Sequence, residues 1–185
     1  MKRNLTIMPK LIKNAKENIV KEAKALLLTE GLSGLNMRTI AERVGVAAGT
    51  LYNYFPSKEH LVVSIMLEDW VSMLKELEES LPNAQSAIQG LEMIFDAIQG
   101  FSDHHRATWQ NLHQFKEFTV MRQKYHGSLI EQLCELILPL GNRFGFLFDE
   151  TVAPFLSEVL LAGGSYPNSK FHFLAPCLKK IVGEA

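Results

Sequence analysis

The segment from residue 36 to residue 56 constrains the fold of this chain most, because it holds two short amphipathic stretches separated by a glycine. Asn36 is a good N-cap for the first stretch, and Gly45 ends it. The second stretch, residues 48–55, stops before a proline, which disfavours a continuing helix. Apolar residues of the first stretch follow the i, i+3, i+4, i+7 spacing of one helix face: Met37, Ile40, Ala41 and Val44. The pattern predicts two short helices joined by a tight turn.

Long stretches of helical periodicity flank this segment, and none alternates apolar and polar residues in the manner of a β-strand. A first helix is predicted over residues 10–30, ended by Gly31 and Gly34 as a left-handed cap followed by a loop. Ser57 is the predicted N-cap of a long helix that reaches about Leu81. Further helices are predicted over residues 84–101, 104–115, 117–138, 149–162 and 168–183. The predicted fold is all-α.

Glycine and proline mark the predicted breaks between the later helices, at residues 100–103, 139–145 and 163–167. Pro154 and Pro176 fall inside predicted helices. Each fits either a helix that starts later, with proline in its first turn, or a helix that is kinked at the proline. Both alternatives stay open at this point.

The formal net charge of −1 hides a strong asymmetry along the chain. Residues 1–60 hold ten Lys and Arg against five Glu, which gives +5, whereas the other 125 residues carry −6. This distribution suggests a basic module that meets a polyanion, joined to an acidic module with a different task. The lysines of the first predicted helix supply a general, salt-dependent attraction.

A positive helix followed by two short helices and a tight turn is typical of a helix-turn-helix, whose second short helix enters the DNA major groove. Residues 39–61 also resemble the DNA-binding signature of the TetR family of bacterial transcriptional regulators. The residues that match the pattern are Ile40, Ala41, Gly45, Val46, Gly49, Thr50, Leu51, Tyr52, Phe55, Lys58 and Leu61. One departure is Asn36, where the family often has Thr, and Asn is an equivalent N-cap.

The resemblance implies two domains. Residues 1–56 correspond to a three-helix helix-turn-helix DNA-binding domain, and residues 57–185 to a helical bundle for dimerisation and ligand binding, with residues 57–81 as the connecting helix. It also implies a homodimer through the last two helices, about residues 149–162 and 168–183.

Candidate phosphate contacts lie around the second short helix and the start of the long one. Lys58 stands in the first turn of the long helix, where free backbone N–H groups and the helix dipole already favour an anion. The hydroxyls of Thr50, Tyr52 and Tyr54 are donors for phosphate oxygens, which set position without reading sequence. An alternative role for the two tyrosines is to close the small three-helix core.

Candidate base contacts are Arg38 and Asn53, whose donors fit guanine and adenine edges respectively. Arg38 has the alternative reading of a solvated surface charge. Small residues at the start of the second short helix permit close approach to the duplex. The predicted DNA contacts are therefore Arg38, Thr39, Ala48, Gly49, Thr50, Tyr52, Asn53, Tyr54 and Lys58.

Aromatic and methionine side chains in the acidic part have the composition of an adaptable apolar cavity. Phe118, Met121 and Tyr125 share one helix face at i, i+3 and i+7, and His113 or Tyr125 offers a polar anchor. The predicted ligand contacts are Met93, Phe101, Trp109, His113, Phe118, Met121 and Tyr125. The alternative is that this apolar stripe is simply core.

Several other sites and classes are not expected. His104 and His105 are adjacent and no Glu-x-x-His pair occurs, so we expect no metal site and no cofactor. No catalytic motif is present, so the chain is not expected to be an enzyme. Cys134 and Cys177 are interpreted as reduced thiols. Without a membrane-length apolar run or a signal peptide, the expected location is the cytoplasm.

Taken together, these features predict a dimeric repressor that binds a palindromic DNA operator and releases it when a small, largely apolar effector binds. One alternative is a DNA-bound scaffold whose acidic domain recruits a partner protein without a small-molecule ligand. A helical-bundle enzyme is a more distant alternative.

Overall fold

The computed structural model describes residues 14–112, 116–146 and 148–183, with the side chains of residues 116–118 and 122 outside the description. The described segments contain helices and their connections and no β-strand, which confirms the all-α prediction. None of the helices in these segments is long and apolar enough to cross a membrane. The elements are α1 (Ala15–Gly34), α2 (Met37–Val44), α3 (Ala48–Tyr54), α4 (Lys58–Ser80), a 3₁₀ helix (Leu81–Asn83), α5 (Ala87–Leu112), α6 (Lys116–Phe144), α7 (Val152–Ser165) and α8 (Phe171–Val182).

The chain divides into two compact units, and the division falls within α4, between Ile65 and Met66. In the first unit α1 contacts α2 and α3, and α2 contacts α3. One apolar face of each helix is buried, with Ile19, Val20, Ala23, Leu26, Met37, Ile40, Ala41 and Leu51 among the buried side chains. This arrangement is the helix-turn-helix that the two short stretches predict. The division into residues 1–56 and 57–185 stays a prediction.

The end of α1 differs slightly from the prediction. Gly31 has φ 67 and ψ −172, which breaks the regular helix one residue after the predicted end at residue 30. A positive φ of this kind is easy only for glycine. The helix then resumes as far as Gly34. The predicted start at residue 10 lies outside the described residues.

In the second unit, α5 packs against α6, α7 and α8 around one apolar core. Its largest buried side chains include Trp70, Leu91, Ile94, Phe95 and Ile98. The predicted break at residues 100–103 is wrong, because α5 runs without interruption from Ala87 to Leu112. Gly100 and Asp103 lie on its exposed side, whereas Ile98 and Ser102 continue the buried face. Packing of that face outweighs the helix-breaking tendency of one glycine, about 1 kcal/mol.

The predicted end of the next helix at residue 138 is also wrong. Pro139 is exposed inside α6, which continues to Phe144 and ends at Gly145 with φ 77. The last turns are held from both sides: Leu140 is buried in the core, and the guanidinium of Arg143 donates hydrogen bonds to carbonyls at the 3₁₀ helix. These contacts offset the backbone hydrogen bond that a proline removes.

The two other prolines take different positions. Pro154 is the third residue of α7, so it lies in the first turn, where its missing N–H costs little. Pro176 lies in the interior of α8, where it cannot donate to the carbonyl four residues earlier. Of the two alternatives, Pro154 takes the first-turn position, whereas Pro176 lies inside a helix that runs from Phe171 to Val182.

Candidate nucleic-acid interface and ligand region

The start of α2 is fixed by a side-chain cap that orients Arg38. Oδ1 of Asn36 accepts hydrogen bonds from the backbone N–H of Arg38 at 2.9 Å and of Thr39 at 3.3 Å. Met37 and Ile40 are buried against the first unit's core, whereas Arg38 is exposed and Thr39 is half-buried. The cap and the buried face together present the guanidinium of Arg38 to solvent.

The turn between the two short helices is set by Gly45. Its φ of 76 and ψ of 30 are left-handed, and its N–H donates to the carbonyl of Glu42 at 3.2 Å. The N–H of Val46 donates to the carbonyl of Ala41 at 2.9 Å, so the last carbonyls of α2 are capped as in a Schellman motif. This close turn brings α3 back against α2.

Most of α3 faces away from the core. Leu51 is its one buried residue, and Phe55 just beyond its end is also buried. The predicted contacts Ala48, Gly49 and Asn53 are exposed, and Thr50 is half-buried. Tyr52 and Tyr54 are 45% and 46% exposed, which favours a surface role over the alternative of closing the core.

Lys58 is the first residue of α4. Oγ of Ser57 accepts a hydrogen bond from the backbone N–H of His60 at 3.4 Å and lies 3.1 Å from Nδ1 of the His60 side chain, which agrees with the predicted capping role of Ser57. Partial burial lowers the pKa of the Lys58 ammonium, and the carboxylate of Glu59 acts in the opposite direction. A half-buried cation at a helix N-terminus offers an anion both a charge and free backbone donors.

Arg43 was counted only as part of the basic charge, and the structure gives it a specific partner. Its Nη1 lies 3.0 Å from Oε1 of Glu22, which joins α2 to α1. Both side chains remain partly exposed, so this pair contributes little to stability. Its charge is nevertheless partly neutralised, which leaves Arg38 as the stronger candidate for base contact on α2.

Comparison with known proteins agrees with this geometry. The sequence model described as "Bacterial regulatory proteins, tetR family" matches residues 19–65, from α1 into α4. Residues 19–65 of this chain are thus similar to the tetR family of bacterial regulatory proteins. The matched segment contains all nine residues predicted to contact DNA.

Similar proteins match this chain over different parts of its length. The HTH-type transcriptional repressor KstR of Rhodococcus jostii is 33% identical over 86 residues, which are 46% of this chain and 40% of that protein. This chain therefore spans less than half the length of that curated relative. RolR without ligand superposes with a TM-score of 0.58 at 18% identity, over 90% of this chain and 89% of its own. FadR from Bacillus subtilis, in complex with stearoyl-CoA, gives 0.53 at 18% identity over 92% and 99%. At these identities the two likenesses concern the fold alone.

Two of the predicted ligand contacts are neighbours in the second unit. The rings of Phe101 and Trp109, one above the other on α5, have centroids 6.1 Å apart at an interplanar angle of 69°. Phe101 also meets the indole of Trp70 edge to face, at 5.3 Å and 80°. Sequence analysis missed Trp70, which is buried and comes from a different helix.

The other predicted ligand contacts differ in how deeply they are buried. Met93 is half-buried against the core, Met121 is buried, and Tyr125 is half-buried with Nζ of Lys124 lying 5.6 Å from its ring centroid. His113 and the side chain of Phe118 lie outside the described residues.

Phe101, Trp109 and Trp70 form an aromatic cluster, and polar groups that the sequence analysis did not select lie around it. Nε1 of Trp70 donates to Oε1 of Gln132 on α6 at 2.8 Å. The ring of His105 makes a tilted contact with Phe101, with centroids 4.7 Å apart at 57°. The hydroxyl of Ser102 is fully buried and has no hydrogen-bond partner among the described atoms. The sequence contains a partial indication of these two residues, because Ser102 and His105 are spaced i, i+3 and lie near Phe101 on α5.

Proposed function

We propose that this chain is a dimeric transcriptional repressor that binds a palindromic operator through α3 and releases it when a small, largely apolar molecule binds in the second unit. The observation that carries the proposal is the exposure of α3. Leu51 is buried in the core, whereas Tyr52, Asn53 and Tyr54 are exposed to solvent. A short helix held by one anchor and exposed elsewhere is suited to enter a major groove. Because its partner is DNA, the protein acts in the bacterial cytoplasm.

The DNA contacts divide by chemistry. Arg38 and Asn53 read guanine and adenine edges, since both are exposed on the helix-turn-helix and carry bidentate donors. Lys58, Thr50, Tyr52 and Tyr54 hold phosphates. Thr39, Ala48 and Gly49 lie close to the DNA. Because Ala48 and Gly49 are small, the backbone of α3 can approach the groove closely.

The homodimer forms through α7 and α8. In α8, Phe173 and Ile181 are exposed at i and i+8, with the exposed Cys177 between them, while Leu178 on the other side is buried in the core. In α7, Phe155 is 53% exposed, and Tyr166 just after the helix is 73% exposed. Large apolar side chains exposed on α8, on α7 and just after α7 provide apolar surface for an interface about a two-fold axis.

The effector binds beside Phe101 and Trp109, with Met93, Met121, Tyr125, His113 and Phe118 as further contacts. The aromatic cluster supplies apolar surface, and the buried Ser102 hydroxyl supplies a donor without a competing partner among the described atoms. The Bacillus subtilis neighbour holds stearoyl-CoA in the same fold, which supports an apolar effector. The effector releases DNA through its higher affinity for one of two dimer arrangements, with α4 as the lever that changes the separation of the recognition helices.

Selection of bound fragments from random duplex DNA tests the proposal. We expect enrichment of an inverted repeat whose half-sites lie on one face of the duplex, about one helical turn or a multiple apart. Fluorescence anisotropy on that duplex, with medium- and long-chain acyl compounds added, then tests release. Recovery of DNA with no shared site would contradict operator recognition. Recovery of a site whose affinity no small molecule changes would favour the recruiting scaffold.

A further inference from the structure

Three potential metal ligands from two helices come together in the second unit. Asp69 lies on α4, and His104 and His105 are consecutive residues of α5. Each offers one ligand atom, and these atoms all lie within 4.8 Å of one another. Nε2 of His105 lies 3.2 Å from Oδ2 of Asp69.

We propose that Asp69, His104 and His105 form a site for a divalent transition metal ion, with Zn²⁺ as the best fit. Zinc bonds to imidazole nitrogen and carboxylate oxygen are about 2.0–2.2 Å, so tetrahedral ligand atoms stand roughly 3.3–3.5 Å apart. The pair formed by Asp69 and His105 already has nearly this spacing. Because His104 is exposed, its side chain is able to rotate the short remaining distance.

The donor set selects the class of ion. Two imidazoles and one carboxylate suit Zn²⁺, Co²⁺ or Ni²⁺, whereas Mg²⁺ and Ca²⁺ prefer oxygen donors. Three protein ligands leave the fourth tetrahedral position for water or another small ligand, as in open zinc sites.

The sequence analysis rejected a metal site because His104 and His105 are adjacent. Their rings nevertheless lie close, with centroids 4.8 Å apart at 86°. The third ligand, Asp69, lies 35 residues before His104 and comes from another helix, so no local sequence spacing indicates it. The packing of α4 beside α5 therefore creates a donor set that neither helix carries alone.

Burial gives the pair a fixed position. The side chain of His105 is 4% exposed and that of Asp69 is 16% exposed, so water competes little with either group. The ring of Phe101 lies beside the His105 ring, with centroids 4.7 Å apart at an interplanar angle of 57°. An ion pair would also explain the contact between Asp69 and His105, but it gives no role to His104. Replacing His104 therefore distinguishes an ion pair from a metal site.

Titration of the untagged chain with Co²⁺, after treatment with a chelator, tests the proposal. We expect one Co²⁺ per chain, with the visible absorption of a tetrahedral site, and displacement of Co²⁺ by Zn²⁺. Asp69→Asn and His104→Ala should each weaken binding by at least about tenfold, since even outer partners of metal ligands carry that much. Zn²⁺ should raise the melting temperature of the wild type and not that of His104→Ala.

His126→Ala is the matched control. His126 is also exposed and close to a carboxylate, with Nε2 2.9 Å from Oε1 of Glu158, but no third ligand joins it within the described residues. Its replacement should leave Co²⁺ binding unchanged. Circular dichroism checks the fold of each variant, and His104→Ala keeps the test valid if replacing Asp69 disturbs packing.

The proposal is overturned if the wild type binds no stoichiometric Co²⁺, if His104→Ala binds as tightly as the wild type, or if His126→Ala weakens binding as much as His104→Ala. Because these readouts involve no DNA, their outcome is independent of operator recognition.

Discussion

Oδ1 of Asn36 accepts a hydrogen bond of 2.9 Å from the backbone N–H of Arg38. The bond satisfies one of the free donors at the start of α2 and fixes the turn that carries the Arg38 guanidinium. A residue whose side chain caps the helix thus also sets the direction of a residue proposed to read DNA. Under the proposed function, helix stability and DNA recognition are therefore coupled at the first turn of α2.

Asn36→Ala should lower the free energy of unfolding by about 0.5–2 kcal/mol, because it removes the cap. Asn36→Thr should cost much less, since threonine also caps helices. Urea unfolding followed by circular dichroism measures both. Equal stability of the alanine variant and the wild type would contradict the capping role.

Lys58→Ala should weaken DNA binding and make the plot of log affinity against log salt concentration less steep by about 1, because one phosphate contact is lost. Lys75 is exposed on the same helix in the second unit, and Lys75→Ala serves as the control. Anisotropy titrations at several salt concentrations give the slopes. If both variants had the wild-type slope, Lys58 would not contact phosphate.

Asn53→Ala should relax specificity at one position of the half-site by about 1–3 kcal/mol, because a bidentate contact to a base edge is lost. Asn53 is exposed, so the fold should be unaffected. Binding to a panel of single-base variants of the operator measures this. A uniform loss across the panel would assign Asn53 to the backbone instead.

Phe173→Glu should convert the dimer into monomer, because it places a charge in an aromatic contact of α8. An aromatic interface anchor is worth about 2 kcal/mol or more, so the dimer dissociation constant should rise by roughly 30-fold or more. Val71→Glu is the control, since Val71 is an exposed apolar residue of α4. Light scattering after gel filtration gives the mass; an intact Phe173→Glu dimer would exclude this face.

Gly100→Ala should stabilise the second unit by up to about 1 kcal/mol, because alanine favours a helix and its Cβ would meet nothing within 4 Å. Gly90→Ala should destabilise it by about 1–3 kcal/mol, since its Cβ would lie 2.5 Å from Cδ1 of the buried Leu140. Thermal unfolding ranks the two variants against the wild type. The opposite order would contradict the observed course of α5.

The helix-turn-helix was predictable because its determinants are local. Asn36 and Gly45 bound α2 within nine residues, and Leu51 and Phe55 mark the buried side of α3. The course of α5 was not predictable in the same way. Gly100 is typical of a helix break. The helix nevertheless continues, because the buried face of α5 packs against helices that come much later in the chain.

The groups around the proposed effector and metal positions illustrate the same limit. Phe101 and Trp109 were selected as aromatic residues that suit an apolar cavity, although the sequence analysis placed them in two separate helices. Trp70, Asp69 and Gln132 were not selected, since their contacts join residues from different helices. Periodicity indicates which side of a helix is buried, but it does not indicate which partner that side meets.

Competition binding with purified protein is the most direct test of operator recognition. Labelled duplex from the selection is bound at modest salt and challenged with unlabelled selected duplex, scrambled duplex or heparin. We expect the selected duplex to compete at concentrations at least 1,000-fold lower than the scrambled duplex, the lower end of specific recognition, about 10³–10⁷. Equal competition by all three, with the protein confirmed as a dimer, would contradict the central claim.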